Sequence, residues 1–281
     1  MLSYRHAFHA GNHADVLKHF VLVQICRHLN RKEAPYWFID THAGAGRYAL
    51  DSGHATKLAE FAGGIGRLWQ RTDLPPALAD YVALVKGLNP GGNLKHYPGS
   101  PWLAWKCLRP QDRLRLFELH STDSKLLQDT FKAAGRQAAV SAADGLAGLK
   151  ALLPPPPRRA LVLIDPSYET RGDYAQVVKA LQDGLRRFAT GTYAVWYPQL
   201  VKSEARQLPD KLKALPAKSW LDVRLTVARP AKDGFGMFGS GMFVVNPPWT
   251  LEATLREALP TLCDLLAADD GARYEVEGFE A

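Results

Sequence analysis

Cysteine is scarce in this sequence, and its few occurrences exclude two classes of cross-linked protein. Cys26, Cys107 and Cys263 lie far apart and are odd in number, so they match neither a disulfide framework nor a zinc-binding motif. We therefore expect a reducing compartment, the cytoplasm. No apolar run approaches the roughly 20 residues that a membrane-spanning helix needs. Lys18 interrupts the most apolar N-terminal stretch, so no signal-peptide core is present, and we expect no membrane partner.

Acidic residues are few outside the C-terminal segment, which leaves most of the chain basic. The 281 residues carry a net charge of +7, and residues 251–281 contain 2 basic and 8 acidic residues. The first 250 residues therefore hold 33 basic and 20 acidic residues, a net +13. This charge suits a polyanion such as nucleic acid, although an ordinary solvated surface is an equal alternative. Because 47% of residues are hydrophobic, the chain can bury a sizeable core and is not disordered.

Short apolar runs alternate with helical patterns along the chain. Runs that predict strands occupy residues 36–39, 114–117, 138–140, 161–164 and 193–196. Helices are predicted around residues 122–134, 173–187 and 201–214. This alternation predicts a mostly parallel sheet covered on both faces. Two late strands, 221–228 and 242–245, are joined by a glycine-rich loop and predict an antiparallel pair at the sheet edge. The expected fold is α/β and Rossmann-like, with seven strands and the last one antiparallel.

Two segments add to this alternation. Asn12 is a suitable N-cap for a helix over residues 13–29, whose apolar residues recur at helical spacing. Its opposite, polar face includes Lys18. Later, two helical patterns predict a small helical insertion after the first strand, at about residues 56–70 and 76–88. The predicted organisation is residues 1–49 for the N-terminal helix and start of the α/β domain, 50–100 for the insertion, and 101–281 for the remainder.

A glycine loop follows the first strand, where a parallel sheet binds its ligand. Gly44, Gly46 and Ala49 fit the spacing of a dinucleotide-binding loop. Glu118, at the end of the second strand, could bind ribose hydroxyls. Nicotinamide dinucleotides and S-adenosylmethionine both contain an adenosine, so these residues leave both cofactors open.

The segment Asp165-Pro166-Ser167-Tyr168 resembles the signature of methyltransferases that act on an exocyclic amino nitrogen. The lone pair of adenine N6 is delocalised into the ring, and two acceptors can draw this nitrogen towards tetrahedral geometry. We expect the Asp165 carboxylate and the Pro166 carbonyl to be these acceptors, and Tyr168 to stack on a flipped-out base. Ser167 departs from the signature, which has a second proline that would orient the preceding carbonyl.

A second match to this signature, Asn246-Pro247-Pro248-Trp249, is complete. It follows the strand that we predict to be antiparallel, so its carboxyl end should point away from the cofactor crevice. We therefore favour Asp165 over Asn246 as the acceptor, on topology rather than on motif quality.

Histidines are concentrated near the N-terminus, at positions 6, 9, 13, 19 and 28. Their spacing matches no familiar zinc pattern and no cysteine accompanies them, so we predict no metal site. Solvated or capping histidines are one reading. The alternative is an RNA or cofactor surface that includes Tyr4, Arg5, His6, Lys18 and His19.

Several motifs together resemble the RlmJ family of bacterial 23S ribosomal RNA (adenine-N6)-methyltransferases. The similar segments are residues 1–6, 9–19, 40–48, 97–101, 118–120 and 240–249. The resemblance implies a class I methyltransferase fold with a helical insertion. It also implies methyl transfer from S-adenosylmethionine to N6 of one adenine in 23S rRNA, with S-adenosylhomocysteine as product and no metal.

The resemblance also implies roles for particular residues. Cofactor contacts would fall on His19, His42, Gly44, Ser100, Glu118, Asp144, Gly145 and Asp165. The catalytic loop would be Asp165, Pro166 and Tyr168, and RNA contacts would involve Tyr4, Arg5, His6 and Lys18. We expect a monomer that acts on free 23S rRNA or on an early assembly intermediate.

Three alternatives remain open from sequence. One is an amino-methyltransferase that acts on DNA adenine or protein glutamine. Another is an RNA-binding protein whose catalytic loop is degenerate, because Ser167 departs from the signature. A nicotinamide enzyme is the third, and uptake of S-adenosylmethionine but not NAD would exclude it.

Overall fold

A computed structural model describes residues 5–51, 55 and 59–280 of the chain. Within these residues the strands are β1 Trp37–Asp40, β2 Arg47–Ala49, β3 His96–Pro98, β4 Arg113–Phe117, β5 Ala138–Ser141, β6 Ala160–Ile164, β7 Thr192–Gln199, β8 Ser219–Thr226, β9 Gly239–Val245 and β10 Arg273–Glu280. The α-helices are α1 His13–Leu29, α2 Glu60–Gly63, α3 Ile65–Trp69, α4 Pro76–Gly87, α5 Ser100–Cys107, α6 Ser121–Phe131, α7 Gly145–Leu152, α8 Arg171–Arg187, α9 Ser203–Lys213 and α10 Leu251–Leu266.

Eight strands form the main sheet, in the order β10-β8-β9-β7-β6-β1-β4-β5. The five strands from β5 to β7 pair in parallel, and β9 lies antiparallel between β7 and β8. Chain order runs outward from β1 through β4 to β5 and then returns to β6 on the other side of β1. The switch point of the sheet therefore lies between β1 and β6, where α/β sheets bind ligands.

The sheet differs from the sequence prediction in two respects. It has eight strands rather than seven, because β10 pairs antiparallel with β8 and forms the outer edge. The strand β9 is antiparallel as predicted, but it lies inside the sheet and not at its edge. The eighth strand was not predicted because its charged, largely exposed residues give no apolar run. β9 is internal because it pairs with both β7 and β8. The run predicted at 193–196 also continues through Pro198 to Gln199.

Helix α1 spans the residues predicted for it and begins at a capped end. The Asn12 side chain accepts hydrogen bonds from the backbone N–H groups of Ala14 and Asp15, both at 3.0 Å. Most of the helix is buried, including Lys18, which is only 4% exposed. On the predicted polar face, Arg27 is exposed, but Lys18 is inside the protein, where a charged side chain needs a partner.

The part of the predicted insertion that the structure describes, residues 50, 51, 55 and 59–100, includes the helices α2 to α4 between the paired strands β2 and β3. It packs on the segment that begins α1. The Ile65 N–H donates to the Gly11 carbonyl at 2.9 Å, and a Cβ atom on Gly64 would overlap that same carbonyl oxygen. Glu60 accepts a hydrogen bond from the Asn12 side chain at 3.0 Å. Glycine at position 64 is thus what permits this close approach.

Helices on both faces bury the sheet in two layers of apolar side chains. One layer lies against α1, the insertion and α10, and the other lies against α7, α8 and α9. The three cysteines are buried and unbridged. Among the helices that the structure describes, none combines the length and apolar character needed to cross a membrane.

Candidate active site

A cavity of about 500 Å³ lies at the carboxyl ends of the parallel strands. Residues that follow β1, β4, β5 and β6 and residues near the end of β7 line it, together with one side of α1. The cavity therefore spans the switch point between β1 and β6, as the sequence predicted for the cofactor crevice. Its two ends carry different chemistry.

Glu118 marks the end of the cavity beyond β4. Its Oε2 accepts a hydrogen bond from the Gly44 N–H at 2.8 Å, and its Oε1 accepts one from the His120 N–H at 2.7 Å. Burial raises the pKa of this carboxyl, although the two N–H donors oppose the shift. Each carboxylate oxygen keeps a further lone pair for a hydroxyl donor in the cavity. The arrangement fits the ribose hydroxyls of a bound adenosine.

The β5 side of the cavity is built by the first turn of α7. Oδ1 of Asp144 accepts hydrogen bonds from the Leu146 and Ala147 N–H groups at 2.9 and 3.2 Å. A Cβ atom on Gly145 would overlap the Thr41 carbonyl oxygen, so only glycine lets α7 begin this close to the end of β1. A flat nucleoside base could enter beside this backbone, which supports the predicted cofactor contacts at Asp144 and Gly145.

Asp40 and Ser100 lie beneath the glycine loop, at the end of β1. The Ser100 hydroxyl donates to Asp40 Oδ2 at 2.6 Å, and the His42 N–H donates to Oδ1 at 3.2 Å. Burial raises the pKa of Asp40 to about 7, against these hydrogen bonds. Burial lowers the pKa of His42 to about 4, so its imidazole is neutral at pH 7. Ser100 thus donates a hydrogen bond to a buried carboxyl and also lines the cavity.

Lys18 and Asp165 form an ion pair at the other end of the cavity. Lys18 Nζ lies 2.6 Å from Asp165 Oδ2 and 2.8 Å from Asp15 Oδ1. Burial opposes the charge on Lys18, but the two carboxylates outweigh it and raise the lysine pKa. Burial also raises the pKa of Asp165, and the Lys18 ammonium opposes that shift. The Lys18 ammonium thus favours the ionised form of Asp165, against the effect of burial.

Asp15 extends this pair towards the N-terminal segment. Its Oδ2 lies 2.9 Å from His6 Nε2 and accepts the Gly11 N–H at 2.9 Å. Burial alone would raise the pKa of Asp15, but His6, Lys18 and His19 hold it well below its usual range. His6, Asp15, Lys18 and Asp165 thus form one continuous chain of polar contacts along the cavity wall. This chain was not evident from sequence, where Asp15 was assigned only to the helix N-terminus.

The position of Tyr168 corrects one expectation. Its side chain is 3% exposed and packs against Tyr174, with ring centroids 4.6 Å apart. Its hydroxyl donates to the Trp196 carbonyl at 2.7 Å, and the ring does not line the cavity. In this structure Tyr168 is therefore not placed to stack on a base. The aromatic ring that lines the cavity beside Lys18 is Trp196, with the ammonium 5.8 Å from its centroid.

The second signature lies elsewhere in the fold. Because β9 is antiparallel, the segment that begins at Asn246 lies at the amino ends of the parallel strands, opposite the cavity. Asn246 adopts a φ of +50° and its amide donates to the Ala189 and Gly191 carbonyls at 2.8 and 2.7 Å. Its side chain is therefore used to fix the turn. The topological argument for Asp165 over Asn246 agrees with this geometry.

Most predicted site residues meet at the cavity. Those that line it are His6, Lys18, His19, His42, Gly44, Ser100, Glu118, Asp144, Gly145, Asp165 and Pro166. Arg5 is half-buried and does not line it, and Tyr4 lies outside the described residues.

Three residues of the site were not predicted from sequence. Asp15 and Trp196 line the cavity, and Asp40 supports it by accepting the hydrogen bond from Ser100. The three-residue spacing from Asp15 to Lys18 was the available signal for the ion pair. Within residues 5–51, 55 and 59–280, no cluster of His, Cys, Asp and Glu forms a candidate metal site.

The eight-stranded sheet, its internal antiparallel strand and the cavity at the switch point define a Rossmann-like domain of the class I methyltransferase type. Comparisons with known proteins agree. The family described as "Ribosomal RNA large subunit methyltransferase D, RlmJ" matches residues 33–277, and the chain belongs to this family.

Two relatives and one solved structure are similar over nearly their whole length. "Ribosomal RNA large subunit methyltransferase J" of Haemophilus influenzae is 48% identical over 278 residues, covering 99% of this chain and 98% of that protein. The protein of the same name from Escherichia coli K12 is 49% identical over 262 residues, 93% of each chain. The crystal structure of a Legionella pneumophila protein, at 35% identity, has a TM-score of 0.89 and covers 96% of this chain and 98% of its own.

Proposed function

We propose that this protein transfers a methyl group from S-adenosylmethionine to N6 of an adenine in 23S ribosomal RNA. Membership of the RlmJ family and the names of its two relatives support the reaction and the RNA class. The observation that carries the assignment of residues is the Asp165–Lys18 pair, which lies across the same cavity from Glu118. One cavity thus contains an acceptor for an amino group and a carboxylate for an adenosine.

Asp165 is suited to hold the target nitrogen. Lys18 occupies its Oδ2, and within the described part of the chain no hydrogen bond engages its Oδ1. That oxygen can accept one N6–H bond, and the Pro166 carbonyl can accept the other. Acceptors on both N–H bonds draw the nitrogen lone pair out of the ring and aim it along the line of transfer. Such preorganised partners contribute on the order of 100- to 1,000-fold in rate each.

Bound S-adenosylmethionine supplies an electrophilic methyl group on a sulfonium sulfur. Glu118, Gly44 and Asp144 would hold its nucleoside, which leaves alignment of the nitrogen to the residues around Asp165. The new N–C bond forms as the S–C bond breaks, and the methylated nitrogen then loses one proton. Asp165 can receive this proton and pass it to water, and it needs no raised basicity because the nitrogen is acidic only after methylation.

The central test is methyl transfer to naked 23S rRNA, followed by mass-spectrometric mapping of methylated adenine. Asp165→Ala should lower turnover about 100-fold or more and leave the Kd for S-adenosylhomocysteine nearly unchanged. Asn246→Ala is the matched control, because it changes the other signature at the opposite end of the sheet. Near-normal turnover of Asp165→Ala, or a comparable loss in Asn246→Ala, would contradict the assignment.

Parallel substrates separate the alternatives. DNA and ribosomal protein should accept no methyl group under conditions that label 23S rRNA. An RNA-binding protein with a degenerate loop would instead bind RNA and transfer nothing, and Ser167→Pro would then create activity.

We also propose that a monomer acts in the cytoplasm on free RNA or an early assembly intermediate, since one chain provides all the groups described. Assembled large subunits should then be poorer substrates, and a chelator should not reduce activity.

A further inference from the structure

Trp249, in the second signature, is a large apolar side chain that lies almost entirely in solvent. It is 78% exposed, whereas most large apolar side chains of the described chain are buried. It lies at the end of the sheet opposite the cavity, so the methyl-transfer site does not use it. The ring therefore lacks a role in the proposed reaction centre.

The loop that carries Trp249 is rigid. Besides the two bonds from its side chain, Asn246 donates its backbone N–H to the Ser219 carbonyl at 3.0 Å. The Thr192 hydroxyl donates to the Asn246 carbonyl at 3.1 Å. Two prolines then restrict the backbone before the tryptophan. Little conformational entropy would be lost if the ring bound a ligand, as in preorganised binding sites.

Cations surround this ring. The Arg31 guanidinium lies over the indole, 5.1 Å from the ring centroid, and the His28 ring meets it edge-on at 6.1 Å. Lys32 follows Arg31 directly in the chain, and the Arg159 guanidinium donates to the carbonyl of Leu29, two residues before Arg31. Burial and then the positive charges of these three residues lower the pKa of His28. Arg31 and Lys32 are exposed. We call Trp249, Arg31, Lys32 and Arg159 the Trp249 patch.

Backbone contacts hold the charged loop of this patch in place. Arg159 Nη2 donates to the Leu29 carbonyl at 2.9 Å. Arg109 Nη1 donates to the Lys32 carbonyl at 2.7 Å, and its own charge is compensated by Asp112 at 3.0 Å. Glu33 is the exposed acid within the same loop. The patch thus has a positive excess on a fixed backbone, with an aromatic ring at its centre.

We propose that the Trp249 patch binds a second segment of the RNA substrate, with an unpaired base stacked on Trp249 and phosphates on Arg31 and Lys32. This inference rests on the proposed function. RNA suits the patch better than a protein surface does, because aromatic rings and arginine planes stack on unpaired bases while cations neutralise the backbone. The patch and the cavity lie at opposite ends of the same strands, so an RNA that reaches both is held in register for methylation.

Binding and turnover of three variants, compared with two controls, test the patch. Trp249→Ala should raise the Kd and KM for a long 23S rRNA fragment about tenfold, within the range that one stacked base contributes. Trp249→Phe should recover most of this loss. Arg31→Ala should reduce the slope of log K against log salt by about one, as expected for one phosphate contact. The kcat at saturating RNA and the Kd for S-adenosylhomocysteine should stay at wild-type values. Arg273→Ala and Tyr274→Ala are the matched charged and aromatic controls on the outer edge strand β10. They should change neither the affinity for RNA nor its salt dependence.

The length of the RNA provides a second measurement. When the RNA is shortened to the hairpin that contains the target adenine, the difference between wild type and Trp249→Ala should disappear. Equal affinities of wild type and Trp249→Ala for the long RNA would overturn the proposal, as would an equal loss in Tyr274→Ala. If the wild-type protein methylates no adenine in 23S rRNA, the proposed function fails first. If it does so and Trp249→Ala has no effect, only the patch fails.

Discussion

Replacement of Lys18 by methionine tests the electrostatic design of the site most directly. The change removes an ammonium that lies 2.6 Å from Asp165 and 2.8 Å from Asp15, while it keeps an unbranched side chain of similar length. Loss of an adjacent opposite charge raises a carboxyl pKa by about 1–3 units. This corresponds to about 1.4–4 kcal/mol between the two protonation states. Because burial already raises the pKa of Asp165, the variant should hold this carboxyl protonated nearer to neutral pH.

The sign of the effect on catalysis follows from which form is active. The ionised carboxylate is a stronger acceptor for the N6–H bond than the protonated carboxyl, which is itself a donor, so activity is lost as pH falls through the pKa of Asp165. The acidic limb of kcat/KM should therefore move upward by about 1–3 pH units in Lys18→Met. Turnover should recover in part at high pH, because the carboxylate ionises there without its partner.

The assay is transfer of a labelled methyl group to 23S rRNA between about pH 5 and pH 9, spanning ordinary histidine and shifted carboxyl pKa values. Lys213→Met is a matched control, since Lys213 pairs with Glu277 at the same 2.6 Å distance at the far edge of the sheet. Its pH profile should equal that of the wild type. A thermal melt of each variant separates loss of fold from loss of ionisation. An unshifted acidic limb in folded Lys18→Met would refute the role of the ion pair.

Three further substitutions probe other parts of the cavity. Glu118→Gln should weaken S-adenosylhomocysteine about 10- to 100-fold by calorimetry, because it replaces a charged acceptor and loses one bond to Gly44 or His120; an unchanged Kd would remove Glu118 from the cofactor site. The folded pKa of Asp40 is about 7 and its unfolded value is about 3.9, so folding favours the protonated form. The free energy of unfolding of the wild type should therefore fall by up to about 4 kcal/mol as the pH rises from about 3.9 to about 7. Asp40→Asn should lack that slope in urea unfolding, and equal slopes would contradict the raised pKa. Trp196→Ala should raise the KM for RNA about tenfold without altering cofactor affinity, and a change in cofactor affinity alone would assign the ring to the other ligand.

The parallel half of the fold could be predicted because its strands are buried on both faces. Residues 161–164 form an apolar run that only a central strand would bury, and the structure buries every residue of β6. β10 could not be found in the same way. It is an edge strand whose charged residues alternate with Tyr274 and Val276, so its stability comes from pairing with β8 rather than from burial. Sequence patterns report burial, and they miss a strand that remains exposed.

The candidate site was predictable where chain order alone fixes position. Glu118 and Asp165 each directly follow a strand, and parallel strands bring such ends to one edge of the sheet. Lys18 was identified as a candidate but placed on a polar face, because helical periodicity cannot distinguish a solvated lysine from one buried against two carboxylates. Trp196 reads from sequence as an ordinary strand residue. Tyr168 packs beside it, with ring centroids 6.0 Å apart, and donates its hydroxyl to the Trp196 carbonyl, and only the folded chain shows these contacts.

The electrostatics of Asp165 depend on parts of the chain that are distant in sequence. The insertion contacts the Gly11 carbonyl through Ile65, and the Gly11 N–H in turn donates to Asp15. Asp15 fixes Lys18, and Lys18 sets the ionisation of Asp165. A helical insertion after β1 therefore stabilises a charge next to the end of β6, although neither the insertion nor α1 belongs to the main sheet. Because a buried lysine between two carboxylates is stable only when every partner is in place, the fold around the N-terminal segment and the acceptor must form together. The site is for this reason more than the end of a Rossmann-like sheet, since its acceptor carboxylate is completed by the helix that precedes the first strand.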